Sequence, residues 1–271
     1  MGEQQPLSSH TKRLITGVLV LVPLLGIIVA GPPWAWTATV LVAAFLGLRE
    51  FQQLLIPEVD SSWKWRAVHF SGGVFLPLGA AMGGPSGLHC GLILGLFGGL
   101  LCVLACSPLN SHGIRRLAQC SFAWLYIPYL LSYVLLIGQA SQGRQRLLFT
   151  LAVVVFSDAG AYYCGRVLGR RKLYETVSPR KTVEGSVGGL ILSVIMGVGV
   201  GRLLLPQESV FRILVLSGSL ALVSQMGDLI ESMMKRMSGK KDSSHLLPGH
   251  GGILDRLDSL LFVFPASWLF L

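Results

Sequence analysis

Long apolar runs broken by short polar clusters set the rhythm of this chain. Apolar windows fall near residues 14–30, 34–56, 67–83, 88–106, 117–138, 147–168, 183–205, 210–234 and 253–271. A helix crosses the hydrocarbon core of a bilayer with roughly 20 predominantly apolar residues, so the pattern predicts about nine transmembrane helices. The glycine-rich piece from Gly72 to Gly87 also suits a re-entrant segment, because irregular backbone survives at membrane depth only where protein or a cavity covers it. The expected class is all-α: a polytopic integral membrane helical bundle. Three stretches follow from the pattern: N-terminal helices over 1–110, middle helices and a basic loop over 111–182, and C-terminal helices over 183–271 that carry most of the chemistry.

Composition strengthens this picture. Of 271 residues, 52% are hydrophobic and only 13% charged, with a mean hydropathy of +0.64. Such a chain cannot cover itself as a soluble domain. The net charge of +9 is that of a membrane protein with basic cytoplasmic loops, and nucleic acid is not the expected partner. With the N-terminus in the cytoplasm and nine crossings, all of the 22 Lys and Arg residues fall inside except Arg144, Arg146, Arg202 and Arg212. That bias places the longest polar segments, 170–182 and 235–250, on the cytoplasmic face. The run from Leu14 to Ala30 follows Lys12 and Arg13 without a cleavage signal, and reads as a retained first helix. The five cysteines form no CxxC pair and read as small buried hydrophobes.

Chemistry concentrates where acidic residues meet the ends of apolar runs. Asp158 lies in VVVFSDAGAYYCGR, where a carboxylate is costly unless it faces protein, water or a cation. On a helix it shares a face with Ala161, Tyr162 and Gly165. The basic loop that follows carries Arg166, Arg170, Arg171, Lys172, Arg180 and Lys181, and ends in Ser178, Thr182, Gly185 and Ser186. Hydroxyls and free amides at a helix start, beside lysine, suit a phosphate. No GxxxxGK[ST] loop is present, so a nucleotide would be held another way.

The densest polar stretch is Gly227 to Ser259. Asp228, Glu231, Ser232 and Lys235 recur at i, i+3, i+4 and i+7, one stripe of a helix. Asp255 and Asp258 share a face at the start of the last helix. Two carboxylate-bearing helix ends that converge would offer oxygen ligands to Mg²⁺, which completes its shell with water and phosphate. Lys235, Arg236, Lys240 and Lys241 would balance phosphate charge, and Pro248 to Gly252 makes a turn around His250. Plainer roles remain open at each point: Asp158 hydrogen-bonded to a neighbouring helix, the basic loop as a topology determinant, the acids in interhelical salt bridges, His250 as a spacer.

The run SMMKRMSGKKDSSHLLPGHGGILDRLDS, from Ser232 to Ser259, resembles the signature of the phosphatidate cytidylyltransferases, or CDP-diacylglycerol synthases. SDAG from Ser157, SPRKTVEG from Ser178 and QMGDLIES from Gln225 match further blocks of that family in order. The resemblance implies a membrane enzyme that condenses CTP with phosphatidic acid, with Mg²⁺, to give CDP-diacylglycerol and pyrophosphate. It implies residence in the bacterial inner membrane with a cytoplasmic active site, and a homodimer. By position, Asp228 and Asp255 match the family's metal-binding acids, and Ser178, Lys181 and Thr182 its phosphate block. Arg180 departs from the usual lysine, which keeps charge but alters hydrogen-bond geometry. Lys181, Lys235, Arg236 and Lys241 would neutralise the reacting phosphates, with Asp158, Asp258 and His250 orienting metal, lysines or water. Glu184, Gly185, Ser232, Asp242, Gly249, Gly251 and Arg256 complete the expected substrate contacts. Two other activities compete: a CTP-dependent polyprenol or phytol kinase, and a cation-coupled transporter, which intramembrane carboxylates also suit. A CDP-alcohol phosphotransferase is disfavoured, since its DG-x2-AR…G-x3-D-x3-D spacing is absent.

Overall fold

The computed structural model describes residues 9–56, 63–106, 111–244, 246 and 251–271. The order is α1 (Ser9–Ala30), α2 (Pro33–Leu55), α3 (Trp63–Cys106), α4 (Ser111–Trp124), a π-helical turn (Leu125–Tyr129), α5 (Leu130–Gln139), α6 (Gly143–Leu168), β1 (Lys172–Tyr174), β2 (Ser178–Thr182), α7 (Val183–Leu204), α8 (Val210–Met237) and α9 (Leu254–Trp268). Six helical stretches among the described residues are long and apolar enough to cross a membrane, and the protein is a polytopic helical membrane protein. Apolar side chains such as Val155, Ile195, Leu203 and Phe211 stand exposed on the outside, as they do where lipid is the solvent.

The six compare with the nine expected for two reasons. First, α3 holds two expected segments in one run of 44 residues, which as a straight rod would measure about 66 Å, twice a hydrocarbon core. It does not run straight. Gly84 leaves helical geometry at φ 58°, ψ −143°, a conformation open to glycine, and the two arms fold together. A Cβ on Gly79 would sit 2.3 Å from the Gly87 carbonyl oxygen, and one on Gly91 2.8 Å from that of Phe75, so these glycines let antiparallel backbones touch. Second, α1 offers only a short apolar run, Gly17–Ala30, and α9 has 15 residues. The π turn has a local cause in Pro128, which has no N–H to give and crowds the carbonyl four residues back.

Two apolar clusters hold the bundle. The larger joins α1 to α5 with α9 around Trp124, Phe51, Leu48 and Ile127. The smaller joins α6, α8 and α9 around Phe149, Val153, Ile213 and Leu220. α6 and α7 pack closely through small residues: a Cβ on Gly160 would lie 2.8 Å from the Gly188 carbonyl, and one on Gly189 2.6 Å from that of Ser157. At one end of this pair Arg146 and Arg212 both reach Glu208. The opposite end carries the hairpin and the site.

The expected basic loop forms the two-stranded sheet of the described residues. β1 and β2 pair antiparallel, Lys172 opposite Thr182 and Tyr174 opposite Ser178. Lys172 Nζ donates to the Pro179 carbonyl at 2.6 Å, and the Glu184 carboxylate accepts from the amides of Arg170 and Arg171. These bonds tie the strands to the start of α7 and fix where Lys181 stands.

Candidate functional site

α8 is the axis of the site, and its predicted stripe splits in two. Asp228 and Ser232 turn toward the hairpin; Glu231 and Lys235 turn toward α9. On the hairpin side, Lys181 of β2 pairs with Asp228, and both remain part-exposed, 26% and 31%. The Ser232 hydroxyl stands 3.5 Å from the second oxygen of Asp228. Asp158 of α6 feels the charges of Asp228, Lys181 and Arg256, and Asp258 of α9 those of Asp228, Lys235 and Asp158. Three helices and a strand therefore bring Asp158, Asp228, Asp258 and Lys181 into one electrostatic neighbourhood.

On the α9 side, Lys235 Nζ lies 2.7 Å from Asp255 Oδ1 and 3.1 Å from Glu231 Oε1. The burial is deep: Glu231 is 1% exposed, Asp255 8% and Lys235 12%. Asp255 Oδ2 accepts from the amides of Ser243 and Gly252 and from the Ser243 hydroxyl, at 3.0, 2.8 and 3.0 Å. Burial alone would raise the Asp255 carboxyl, but the Lys235 hydrogen bond and these amides outweigh it and hold it below its ordinary value. Gly251 adopts φ +82°, and a Cβ there would come within 2.6 Å of Asp255 Oδ2.

Several sequence-derived roles change. Arg236 anchors the hairpin rather than facing the acids: its Nε donates to the Val177 carbonyl at 3.2 Å. The Thr182 hydroxyl caps α7 by accepting from Gly185 N at 3.1 Å, so that amide is already engaged, and the Ser186 hydroxyl is bonded to Gln225. Gln225 also donates to the Ser186 carbonyl at 3.1 Å, which binds α7 to α8. Arg180, Lys241, Asp242 and Arg256 are exposed, Ser178 is half-buried, and Glu184 orders the hairpin backbone. Gly249 and His250, with Pro248, lie outside the described residues.

One residue escaped the sequence reading. Glu50 of α2 is 3% exposed and accepts from Ser243 Oγ, Ser244 Oγ, Ile253 N and Leu254 N at 2.8, 2.6, 2.8 and 2.9 Å. The signal was present, a lone carboxylate in the apolar run 34–56, and such residues are functional candidates by default.

The donor chemistry fits a hard divalent cation at Asp228, with the carboxylates of Asp158 and Asp258 close enough to feel it. Among the described residues no three His, Cys, Asp or Glu side chains form a ready-made cage, and Mg²⁺ commonly takes only one or two carboxylates beside water and phosphate. Asp255 is the less available acid, since Oδ2 already accepts three hydrogen bonds.

Comparison with known proteins gives the family. The model of the Cytidylyltransferase family matches residues 11–271. A Staphylococcus saprophyticus phosphatidate cytidylyltransferase is 42% identical over 146 residues, 54% of this chain and 56% of that protein. The Bacillus subtilis phosphatidate cytidylyltransferase is 38% identical over 166 residues, 60% of this chain and 61% of that protein. Each alignment thus spans little more than half of the relative. With the family match running almost the full length, the chain belongs to the cytidylyltransferase family.

Proposed function

We propose that this chain is a CTP:phosphatidate cytidylyltransferase that makes CDP-diacylglycerol and pyrophosphate, with its site at the cytoplasmic face of a bacterial inner membrane. The observation that carries the reading is the part-exposed Lys181–Asp228 pair, set between further carboxylates at one end of a lipid-embedded bundle. Only part of the pair meets solvent: the Lys181 ammonium itself is buried against Asp228, so a positive charge able to exchange that carboxylate for a phosphate is already held at the site.

In the reaction, an oxygen of the phosphatidate monoester attacks the α-phosphorus of CTP. The new O–P bond forms as the bond to the β-phosphate oxygen breaks, and the electron pair departs with pyrophosphate. A phosphate monoester is largely ionised at neutral pH, so no protein base has to remove a proton. The barrier lies in bringing anions together, and positioned cations lower it. Lys181 supplies one such charge, and the charge of the exposed Arg256 also acts on Asp158. Lys235 is engaged by Glu231 and Asp255 and holds those acids in place. Mg²⁺ held at Asp228, with Asp158 and Asp258 beside it, would neutralise the phosphates further. The exposed Arg170, Arg171 and Arg180 around the hairpin favour anionic substrates and anionic lipid.

Purified full-length protein incubated with labelled CTP, phosphatidate and Mg²⁺ should yield a lipid-soluble cytidine product and pyrophosphate, and a chelator should stop it. CDP in place of pyrophosphate would replace this reading with a kinase. Cation uptake by proteoliposomes without CTP, and no cytidine product, would replace it with transport.

A further inference from the structure

We infer that Glu50 is a positioning residue of the transfer site, acting from α2 through the connection between α8 and α9; the inference rests on the cytidylyl-transfer reading. Its carboxylate grips both ends of that connection. Oε1 accepts from Ser244 Oγ on the α8 side and Ile253 N on the α9 side. Oε2 accepts from Ser243 Oγ and Leu254 N in the same way. Each oxygen therefore ties one donor on the α8 side of the connection to one on the α9 side.

A carboxylate is the side chain this place demands. It offers about four lone-pair sites and, when ionised, no hydrogen, which matches two hydroxyls and two amides. The amides belong to the start of α9, where Ile253 provides no side-chain cap. Glu50 supplies the missing cap from another helix, with its charge at the positive end of the α9 dipole. Gly252 makes the approach possible, since a Cβ there would lie 2.0 Å from Ser243 Oγ and 2.4 Å from Glu50 Oε2.

The clamp passes directly to the acidic site. The Ser243 hydroxyl lies 2.8 Å from Glu50 Oε2 and 3.0 Å from Asp255 Oδ2, so its single proton is shared between the two carboxylates. Asp255 in turn holds Lys235, and Lys235 holds Glu231. Glu50 thus sits at the head of a polar chain that crosses from α2 through α9 to α8, and it sets where Asp255 and Lys235 stand without touching substrate.

The test uses the full chain carrying Glu50→Gln, Glu50→Asp or, as a packing control on the same helix, Leu48→Ala. Glutamine has one acceptor oxygen and turns an NH₂ toward two donors, which shifts the start of α9. Expected for Glu50→Gln is a kcat lower by about 30-fold or more, the scale of an ångström misplacement, with KM for CTP within about threefold and the thermal midpoint near wild type. Glu50→Asp keeps the acceptors one methylene further back and should recover part of the loss. Leu48→Ala should lower the midpoint and leave kcat per folded molecule unchanged. A Glu50→Gln enzyme within threefold of wild-type kcat, or one whose loss merely tracks its folded fraction, overturns the inference. Amide exchange at Ile253 and Leu254 needs no turnover: acceleration of at least about 10-fold at one of the two amides is expected in Glu50→Gln, because one of the two acceptor oxygens is lost, and unchanged exchange at both also overturns it. An exchange effect in Glu50→Gln, together with wild-type protein that makes no cytidine product, would sink the transfer reading and leave the clamp standing.

Discussion

Two ion pairs stand side by side on α8 under different physical rules. Asp228 meets Lys181 with about a third of its side chain exposed, whereas Lys235 meets Glu231 and Asp255 with Glu231 at 1% exposure. In the open pair, water reaches part of each side chain though not the Lys181 ammonium itself, and the bond contributes less to stability than a fully enclosed one. In the closed one, a single lysine touches both carboxylates, and its removal would leave two buried acids without their cation. The difference assigns separate tasks: the open pair can trade its partner for phosphate, and the closed group is a frame that keeps Asp255 and α9 in place.

The largest effect should come from the open pair and should be almost purely kinetic. Asp228→Asn removes the charge that faces Lys181 and the proposed metal, and turnover should fall by about 1,000-fold, while thermal unfolding in detergent shifts by no more than an exposed pair allows, about 1 kcal/mol. Full turnover in this variant would end the assignment of Asp228. The closed group should answer in the opposite manner. Lys235→Met leaves Glu231 and Asp255 buried without a cation, so stability should fall by about 3–5 kcal/mol. Adding Glu231→Gln to that variant should return part of the loss; a double variant no better than the single one would show that the two charges are not coupled as a frame.

Smaller and more local is the effect expected at Gly252, where the frame and the turn meet. A methyl group there overlaps Ser243 Oγ and Glu50 Oε2, and overpacking of this kind costs about 1–3 kcal/mol. Gly252→Ala should therefore reduce the unfolding midpoint and turnover together, unlike Asp228→Asn. A variant with wild-type stability would mean that the carboxylate clamp yields easily.

Much of this contrast lay beyond what a linear sequence discloses. The stripe Asp228, Glu231, Ser232, Lys235 was legible because helical period puts those positions on one face, and the ends of most helices followed from apolar runs. Which half of the stripe meets a hairpin and which meets α9 depends on helix rotation, which the period leaves open. Glu50 was hidden for a related reason: its partners are 193 to 204 residues away in sequence, and no local pattern connects a carboxylate in α2 to the amides of Ile253 and Leu254. The hairpin was obscured by its charges, since a run of arginines and lysines beside a membrane reads as a solvated loop. Its strands form because Glu184, Lys172 and Arg236 bond to backbone groups, a use of charge that composition does not reveal. The fold of α3 turned on Gly84, one glycine among many in an apolar run.

The smallest effect separates the open half into its own parts. Thr182 ends β2 and caps α7 through Gly185 N, so it fixes the direction in which the chain leaves Lys181. Thr182→Ala removes the cap and should cost about 1 kcal/mol of stability. Thr182→Ser keeps an accepting hydroxyl and should restore it. If the cap's task is to aim Lys181 at Asp228, the alanine variant should also lose turnover through KM for CTP, because an ill-aimed lysine binds the nucleotide phosphates less well in ground and transition states alike. If Thr182 instead meets the substrate with its own hydroxyl proton in the transition state, alanine should lower kcat while KM stays put. Kinetics on the two variants, read beside their unfolding midpoints, decide whether the threonine belongs to the scaffold of the open pair or to its chemistry.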